Sequence, residues 1–377
     1  MITIPNKKQV LEAALFAAAL SLPFSSTAFA EAAPEKSVIA FKYLNYQDWQ
    51  PDQDRIGVNA YSVLATVPVA GKWSVTAGYV YDSVSGASPD YYSHILSGAS
   101  PQHDTRHAVD LGVTRYFSKG SITAGASYSE ESDYISRSVS LQGSIMTEDK
   151  NTTVTLGGSY TSDTINPNNG IVENEKKTIW AGLVGLTQVV SKNDIVQINL
   201  GYSSGEGYYN DPYKWEDIRP SERNITTFMT RWNHHFDGSD GTSHLSYRYY
   251  TDSFGINAHS LALEYLQPVK GGWTFIPSAR YYTQTAADFY VPGDLADWSG
   301  GDPYHTSPIG SFDQRLSAFG AITLGIKVEK EIAKDWLVDV KFDYYMQRAE
   351  WCLTGDGDPG LEPFNFMSFQ VGITRKF

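Results

Sequence analysis

The stretch Arg315–Arg348, RLSAFGAITLGIKVEKEIAKDWLVDVKFDYYMQR, decides how the rest of the chain is read. In its first arm Leu316, Ala318, Gly320, Ile322, Leu324, Ile326 and Val328 recur at every second position, with Ser317, Thr323, Lys327 and Glu329 between them. Side chains alternate across a strand, so this spacing gives one apolar and one polar face. The second arm repeats it. Trp336, Val338, Val340, Phe342, Tyr344 and Met346 share one face, Asp339, Lys341, Asp343 and Gln347 the other, and Ile332 to Asp335 turn the chain. Each arm exceeds the usual globular strand of about 5–6 residues and reaches the roughly 9–11 that a tilted strand needs to cross a bilayer. We therefore expect Val338, Val340 and Phe342 to face lipid, and Asp339, Lys341 and Asp343 to face water.

The same rhythm extends outward in both directions. At the C-terminus Met367, Phe369, Val371, Ile373 and the last residue Phe377 share a face. A terminal aromatic on such a strand resembles the signal read by the barrel-assembly machinery, and Arg375 is expected to snorkel to the interface. Upstream, about 16 candidate strands follow one another from 38–46 and 55–67 to 315–330, 336–348 and 364–377. Ala70 to Lys72, Ser118 to Gly120, Glu148 to Lys150, Ser191 to Asp194, Asp237 to Gly241, Val269 to Gly272 and Glu331 to Asp335 are short connections. The joins between them are mostly longer and richer in Gly, Pro, Asp and Ser. Short periplasmic turns alternating with long extracellular loops are the pattern of a transmembrane antiparallel β-barrel. Trp73, Trp273 and Trp336 directly follow three of the short turns, and with Phe377 they predict an aromatic girdle at the inner interface.

Composition agrees with this all-β reading. Among 377 residues stand 25 Tyr, 17 Phe and 9 Trp, an abundance suited to two aromatic belts. Residues 1–30 read as a signal peptide: Lys7 and Lys8, an apolar core Ala13 to Leu22, and Ala28-Phe29-Ala30 as cleavage site. Residues 31–377 then form a single barrel domain in the outer membrane. After that segment no apolar run of 18 residues occurs, which excludes a helical span and leaves a barrel open. The formal charge is −13, and removing Lys7, Lys8 and Glu12 (net +1) leaves −14, which argues against nucleic acid as a partner. Cys352, the single cysteine, has no partner for a disulfide and no metal or haem motif around it. His234 and His235 fall on opposite faces of a strand, and Gly355 to Gly360 lacks EF-hand spacing, so no metal or other cofactor is expected.

Several motifs carry a resemblance. Asp211-Pro212-Tyr213-Lys214, Arg231-Trp232-Asn233-His234-His235-Phe236, Ser246-Tyr247-Arg248-Tyr249-Tyr250 with Asp252 to Ile256, and Asp313-Gln314-Arg315-Leu316-Ser317-Ala318-Phe319-Gly320 resemble domain-of-unknown-function family 3570. The resemblance runs over nearly all of the chain after the leader. It implies an outer-membrane barrel without an established activity, and a periplasmic, redox-linked partner.

Three functions are compatible with this reading. About 16 strands enclose a water-filled lumen, whereas about 8 are filled by side chains, so a porin-like channel for small solutes comes first. Lys42, Arg231, Arg248, Arg280, Lys327 and Lys341 are expected on the inner face, against Asp82, Asp110, Glu264, Glu329, Asp339 and Asp343. The long connection Asp288 to Gln314 carries Asp294, Asp297 and Asp302, which would face the arginines in a constriction if the loop folds inward. A barrel scaffold for a periplasmic partner is the second function. The third is a hydrolase at the rim, for which His94, His103, His107 and His305 are available but sit in no catalytic motif. We expect no enzyme.

Overall fold

A computed structural model describes residues 32–51, 53–87, 101–214, 217–292, 309–355 and 357–377. The leader at 1–30 and the acids Asp294, Asp297 and Asp302 lie outside the described residues, as do His94 and His305. The chain forms strands β1 (Val38–Gln50), β2 (Gln53–Val69), β3 (Trp73–Ala87), β4 (Pro101–Phe117), β5 (Gly120–Glu130), β6 (Tyr134–Met146), β7 (Thr152–Ile165) and β8 (Glu175–Val189). The second half continues with β9 (Asp194–Gly207), β10 (Glu222–Phe236), β11 (Gly241–Asp252), β12 (Asn257–Val269), β13 (Trp273–Gln284), β14 (Phe319–Ala333), β15 (Trp336–Arg348) and β16 (Phe364–Lys376). Each strand pairs with its sequence neighbours, and β1 pairs with β16 from Val38 opposite Lys376 to Trp49 opposite Asn365. The result is a closed antiparallel barrel of sixteen strands. Closure leaves no free edge, so every strand has a partner on both sides. Reciprocal 2.9 Å hydrogen bonds between the backbones of Ser37 and Phe377 extend the seam past the last strand pair.

The alternation sorts the wall as a membrane requires. Leu324, Ile326, Val340 and Phe342 face outward in β14 and β15, joined by Leu141, Leu156 and Val184 farther round, all exposed. Polar side chains point the other way: Asp82, Asp163 and Asp339 are buried against the interior. Large aliphatic side chains exposed over the whole circumference form a patch that a water-soluble β-sandwich does not carry. Hydrocarbon is the solvent they fit. Outward aromatics bound this band. Tyr128 stands eight residues beyond Gly120, and Tyr202 eight beyond Asp194. At about 3.4 Å per residue and a tilt near 40° that is roughly 21 Å, close to the apolar band of about 25 Å in such barrels.

At the short-turn end the girdle has a feature beyond its three tryptophans. Trp73 stands opposite Arg115, Trp273 opposite Lys330, and Trp336 opposite Arg375 in the strand register. Each cation lies over its indole, at 4.8, 4.7 and 5.0 Å from the ring centroid. Arg375 also covers the Phe377 ring at 5.8 Å, so it stays at the aromatic level, over two rings. A cation over an indole face is held by the ring quadrupole and still reaches water.

Two expectations are corrected. The first arm of the opening hairpin begins at Phe319, because Gln314–Leu316 forms a 3-10 turn. The Asp313 carboxylate accepts from the Arg315 N–H at 3.1 Å, and Ser317 Oγ donates to the Gln314 carbonyl at 2.6 Å, which fixes the turn locally. Leu316 therefore packs with Phe254, Ile256, Ala287 and Tyr290 inside the loops instead of facing lipid. The second correction concerns the long-loop end, where β1 and β2 run on to Gln50 and from Gln53, leaving only a two-residue join. The joins 131–133 and 253–256 are short as well, so length is concentrated in 88–100, 166–174, 208–221, 285–318 and 349–363.

Candidate functional site: the lumen wall and its tied loops

Strand register places the inward charges. From β10 to β13, Arg231 stands opposite Ser246, Ser246 opposite Ala262, and Ala262 opposite Arg280. The adjacent inward row carries Met229, Arg248, Ser260 and Tyr282. Arg231 Nη2 lies 3.0 Å from His244 Nδ1 and 3.9 Å from a Glu264 oxygen. Arg280 Nε donates to Ser260 Oγ at 2.9 Å. Asp252, on the same side of the lumen, is taken by Arg223, with nitrogens at 2.5 and 2.9 Å from one oxygen.

The β14–β15–β16–β1 wall carries the other candidates. Lys341 Nζ reaches Asp343 at 2.9 Å and Lys327 reaches Glu329 at 2.5 Å, each along its own strand. Asp339 is 1% exposed and its carboxylate oxygens have no hydrogen-bond donor among the described residues. It lies over Gly372, where a Cβ would stand 2.6 Å from both oxygens. Glycine at that position leaves the room the carboxylate occupies. Farther round, Arg106 Nε donates to Asp82 at 2.8 Å and Lys177 lies 3.2 Å from Asp163. The wall thus brings Arg231, Glu264, Arg248 and Arg280 into one sector and Asp339, Lys341 and Asp343 into another.

Of the histidines considered for hydrolysis, His107 stands next to Tyr79 and Tyr81, its Nδ1 2.8 Å from the Tyr79 hydroxyl. That places it on the outward face with Tyr79. His234 Nδ1 lies 2.8 Å from Asp194, while His235 Nε2 lies 3.8 Å from Asp240, so the two neighbours engage different carboxylates.

At the long-loop end a buried charge knot ties segment 208–221 to segment 285–318. Arg315 Nη2 donates to Asp211 at 2.6 Å and its Nε to Asp313 at 2.6 Å. Arg219 donates to Asp217 and to Asp313, each at 2.8 Å, and Lys214 lies 3.1 Å from the other Asp313 oxygen. Ser311 Oγ donates to Asp217, and Ile218 bridges Gly310 through two backbone hydrogen bonds of 2.9 and 3.0 Å. Three carboxylates thus meet three cations, so the knot is neutral. Burial alone would push the Asp313 carboxyl up, but Arg315, Lys214 and Arg219 together hold it well below the ordinary carboxylate range. Burial raises Asp217 against the pull of Arg219. Asp313 is therefore the anion around which the knot is built.

Further ties spread from this knot. The Tyr213 hydroxyl donates to the buried Asp133 carboxylate between β5 and β6, and itself accepts from the Asn168 N–H at 3.0 Å. Tyr290 donates to Asp358 in the join before β16, and the Asp288 N–H to the Phe254 carbonyl at 2.8 Å. Sequence reasoning did not foresee this connection of loops. Its signal was present all the same, because Asp211, Tyr213, Lys214, Asp313 and Arg315 all belong to motifs that carry the family resemblance.

Family comparison agrees with those motifs. The family described as "Protein of unknown function (DUF3570)" matches residues 12–368. The chain belongs to it. No curated protein matches the sequence. Among solved structures this DUF3570 barrel is similar to a bacterial polysaccharide outer membrane secretin, at 8% identity and TM-score 0.54, covering 90% of this chain and 98% of that one. OccD3 (OpdP) of Pseudomonas aeruginosa aligns at 9% identity and TM-score 0.44, over 92% of each chain. At such identities the secretin likeness speaks for the fold alone, that of an outer-membrane β-barrel. The family supplies no site residue, so the chemistry has to be read from the wall.

Proposed function

We propose that this protein is exported by cleavage after Ala30, inserted into the outer membrane, and acts there as a porin-like channel for small solutes. The observation that carries the reading is the inversion of a sixteen-strand barrel, with aliphatic side chains outside and charged ones inside. A ring of that size leaves an aqueous path, and a polar lining makes that path wettable. The terminal strand ending in Phe377 supports delivery to the barrel-assembly machinery. The polar lining, with Lys341 on Asp343 and Lys327 on Glu329, supports a wettable pore.

Liposome swelling tests this. Purified full-length protein in vesicles should admit arabinose faster than stachyose, with rates falling as solute size rises. Absence of swelling from correctly assembled barrels would reject the channel. Co-purification of a periplasmic protein would then favour the scaffold.

A further inference from the structure

We infer that Arg248 and Arg280 form a binding site for small oxyanions, carboxylates or phosphates, on the lumen wall; solute passage through that site rests on the channel reading above. Glu264 is shared by Arg231 and His244, and Asp252 is taken by Arg223. Lys341 and Lys327 are satisfied by Asp343 and Glu329 on their own strands. Arg248 is exposed to the lumen and makes no hydrogen bond or ion pair among the described residues. Arg280 is exposed too, and its polar partner is the neutral Ser260 hydroxyl. Two positive charges are left over in one sector.

Their placement makes them one site. Ser260 is the register partner of Arg248, so their Cα atoms stand about 4.5–5.5 Å apart, and Arg280 reaches across to the same serine. The two arginines thus flank Ser260 from the strands on either side of it. Ser260 Oγ accepts from Arg280, which leaves its own proton to donate. Tyr282 is not a competing donor, since its hydroxyl already serves Gln284 at 2.7 Å. Its ring backs the Arg280 guanidinium at 5.5 Å and limits where that group swings. A carboxylate or phosphate oxygen pair in front of Ser260 would meet N–H donors from both arginines and one O–H. Arginine forks match that planar geometry, and an anion relieves the repulsion between two neighbouring cations. Arg248 lies seven residues from the start of β11 and Arg280 seven from the start of β13, roughly 18 Å above the short-turn rim. The site sits just below the tied loops, where a solute entering from the long-loop end meets it early.

Two measurements on the assembled full-length protein test this. Calorimetric titration with citrate and with inorganic phosphate should give binding to the wild type and at least about tenfold weaker binding to the double variant R248Q/R280Q. Reversal potentials in planar bilayers under a KCl gradient should show an anion preference that falls several-fold in the same variant. R248K/R280K keeps the charge without the forks, so it should retain the anion preference and lose most of the citrate affinity. Lys192→Gln at an exposed turn removes one positive charge elsewhere and should change neither. The two titrations separate the sources, since citrate alone marks a carboxylate site and phosphate alone a phosphate site. Binding without conductance would overturn the channel reading and leave the site standing. Conductance without binding, at unaltered selectivity in R248Q/R280Q, would overturn the site and leave the channel standing.

Discussion

The two ends of the barrel are held by different means. At the short-turn end the links lie in water: Lys119 with Glu148 at 2.6 Å and Lys192 with Asp237 at 2.7 Å join adjacent hairpins, while Thr147 and Asn151 bond Asp149 within one turn. Several of the turns are set by one or two residues in left-handed backbone, such as Asp335 at φ 67° in the two-residue link between Ala333 and Trp336. Asp240 at φ 55° does the same before Gly241. At the long-loop end the links are buried and join residues far apart in the chain, Arg315 with Asp211 and Arg219 with Asp313. An exposed pair is screened and contributes little, whereas a buried one is costly to break because the remaining charge is stranded. One end is specified by local chemistry, the other by what the closed wall brings together.

Breaking the knot should give the largest effect. Arg315→Ala strands the buried Asp211, takes one of three cations from Asp313, and should destabilise the tied loops by about 3–5 kcal/mol. Hydrogen exchange should rise across 208–221 and 309–318 while the strand ladder and the short turns stay protected. Equal loosening of both ends would refute the contrast. Acid should act on the same knot in a defined window. Asp313 lies below its unfolded value of about 3.9, so its contribution is complete above about pH 5 and fades as pH falls through the lowered value. Asp217 has the opposite sign: its raised carboxyl takes up a proton first, which removes a cost of burying charge. Opening of the loops, followed by protease sensitivity, should therefore wait for the protonation of Asp313 and occur below pH 4.

The wall between the two ends offers the next test. Val340→Arg puts a cation on the lipid face and should hinder assembly by about 2–4 kcal/mol near the midplane, while Lys341→Ala on the inner face should assemble normally. Heat-modifiable mobility on gels reads both variants. Similar behaviour of the two would mean that the faces are assigned wrongly. Tyr213→Phe is a smaller change, removing the hydroxyl that the Asp133 carboxylate accepts, at about 1–3 kcal/mol. Proteolysis within 208–221 should quicken without loss of the barrel. Lys192→Ala should be the smallest. Its partner Asp237 is solvent-exposed, so the melting of the assembled barrel should not shift measurably, and a clear loss would show that the short-turn end depends on its ion pairs after all.

The sequence by itself determined the wall. Val338, Asp339, Val340, Lys341 and Phe342 alternate, and because a strand's side chains have a period of two, that order alone sorts lipid from lumen and marks each hairpin by its turn. Trp73, Trp273 and Trp336 were legible as a girdle for the same reason, since they follow the turns directly. The cations over them were not, because Arg115, Lys330 and Arg375 reach those rings only through cross-strand register. The period also misled at Leu316, which keeps the alternation in the sequence yet turns into the loop core once Asp313 caps a 3-10 turn. Closure of the sheet decided the rest. It brings Asp211 beside Arg315, a contact that no local pattern encodes because it depends on where distant segments meet in space, while cross-strand register from β11 to β13 sets Ser260 between Arg248 and Arg280. The wall was legible since its physics is local and periodic, whereas the lumen site needed the register of three neighbouring strands and the knot needed the folded barrel to bring its charges together.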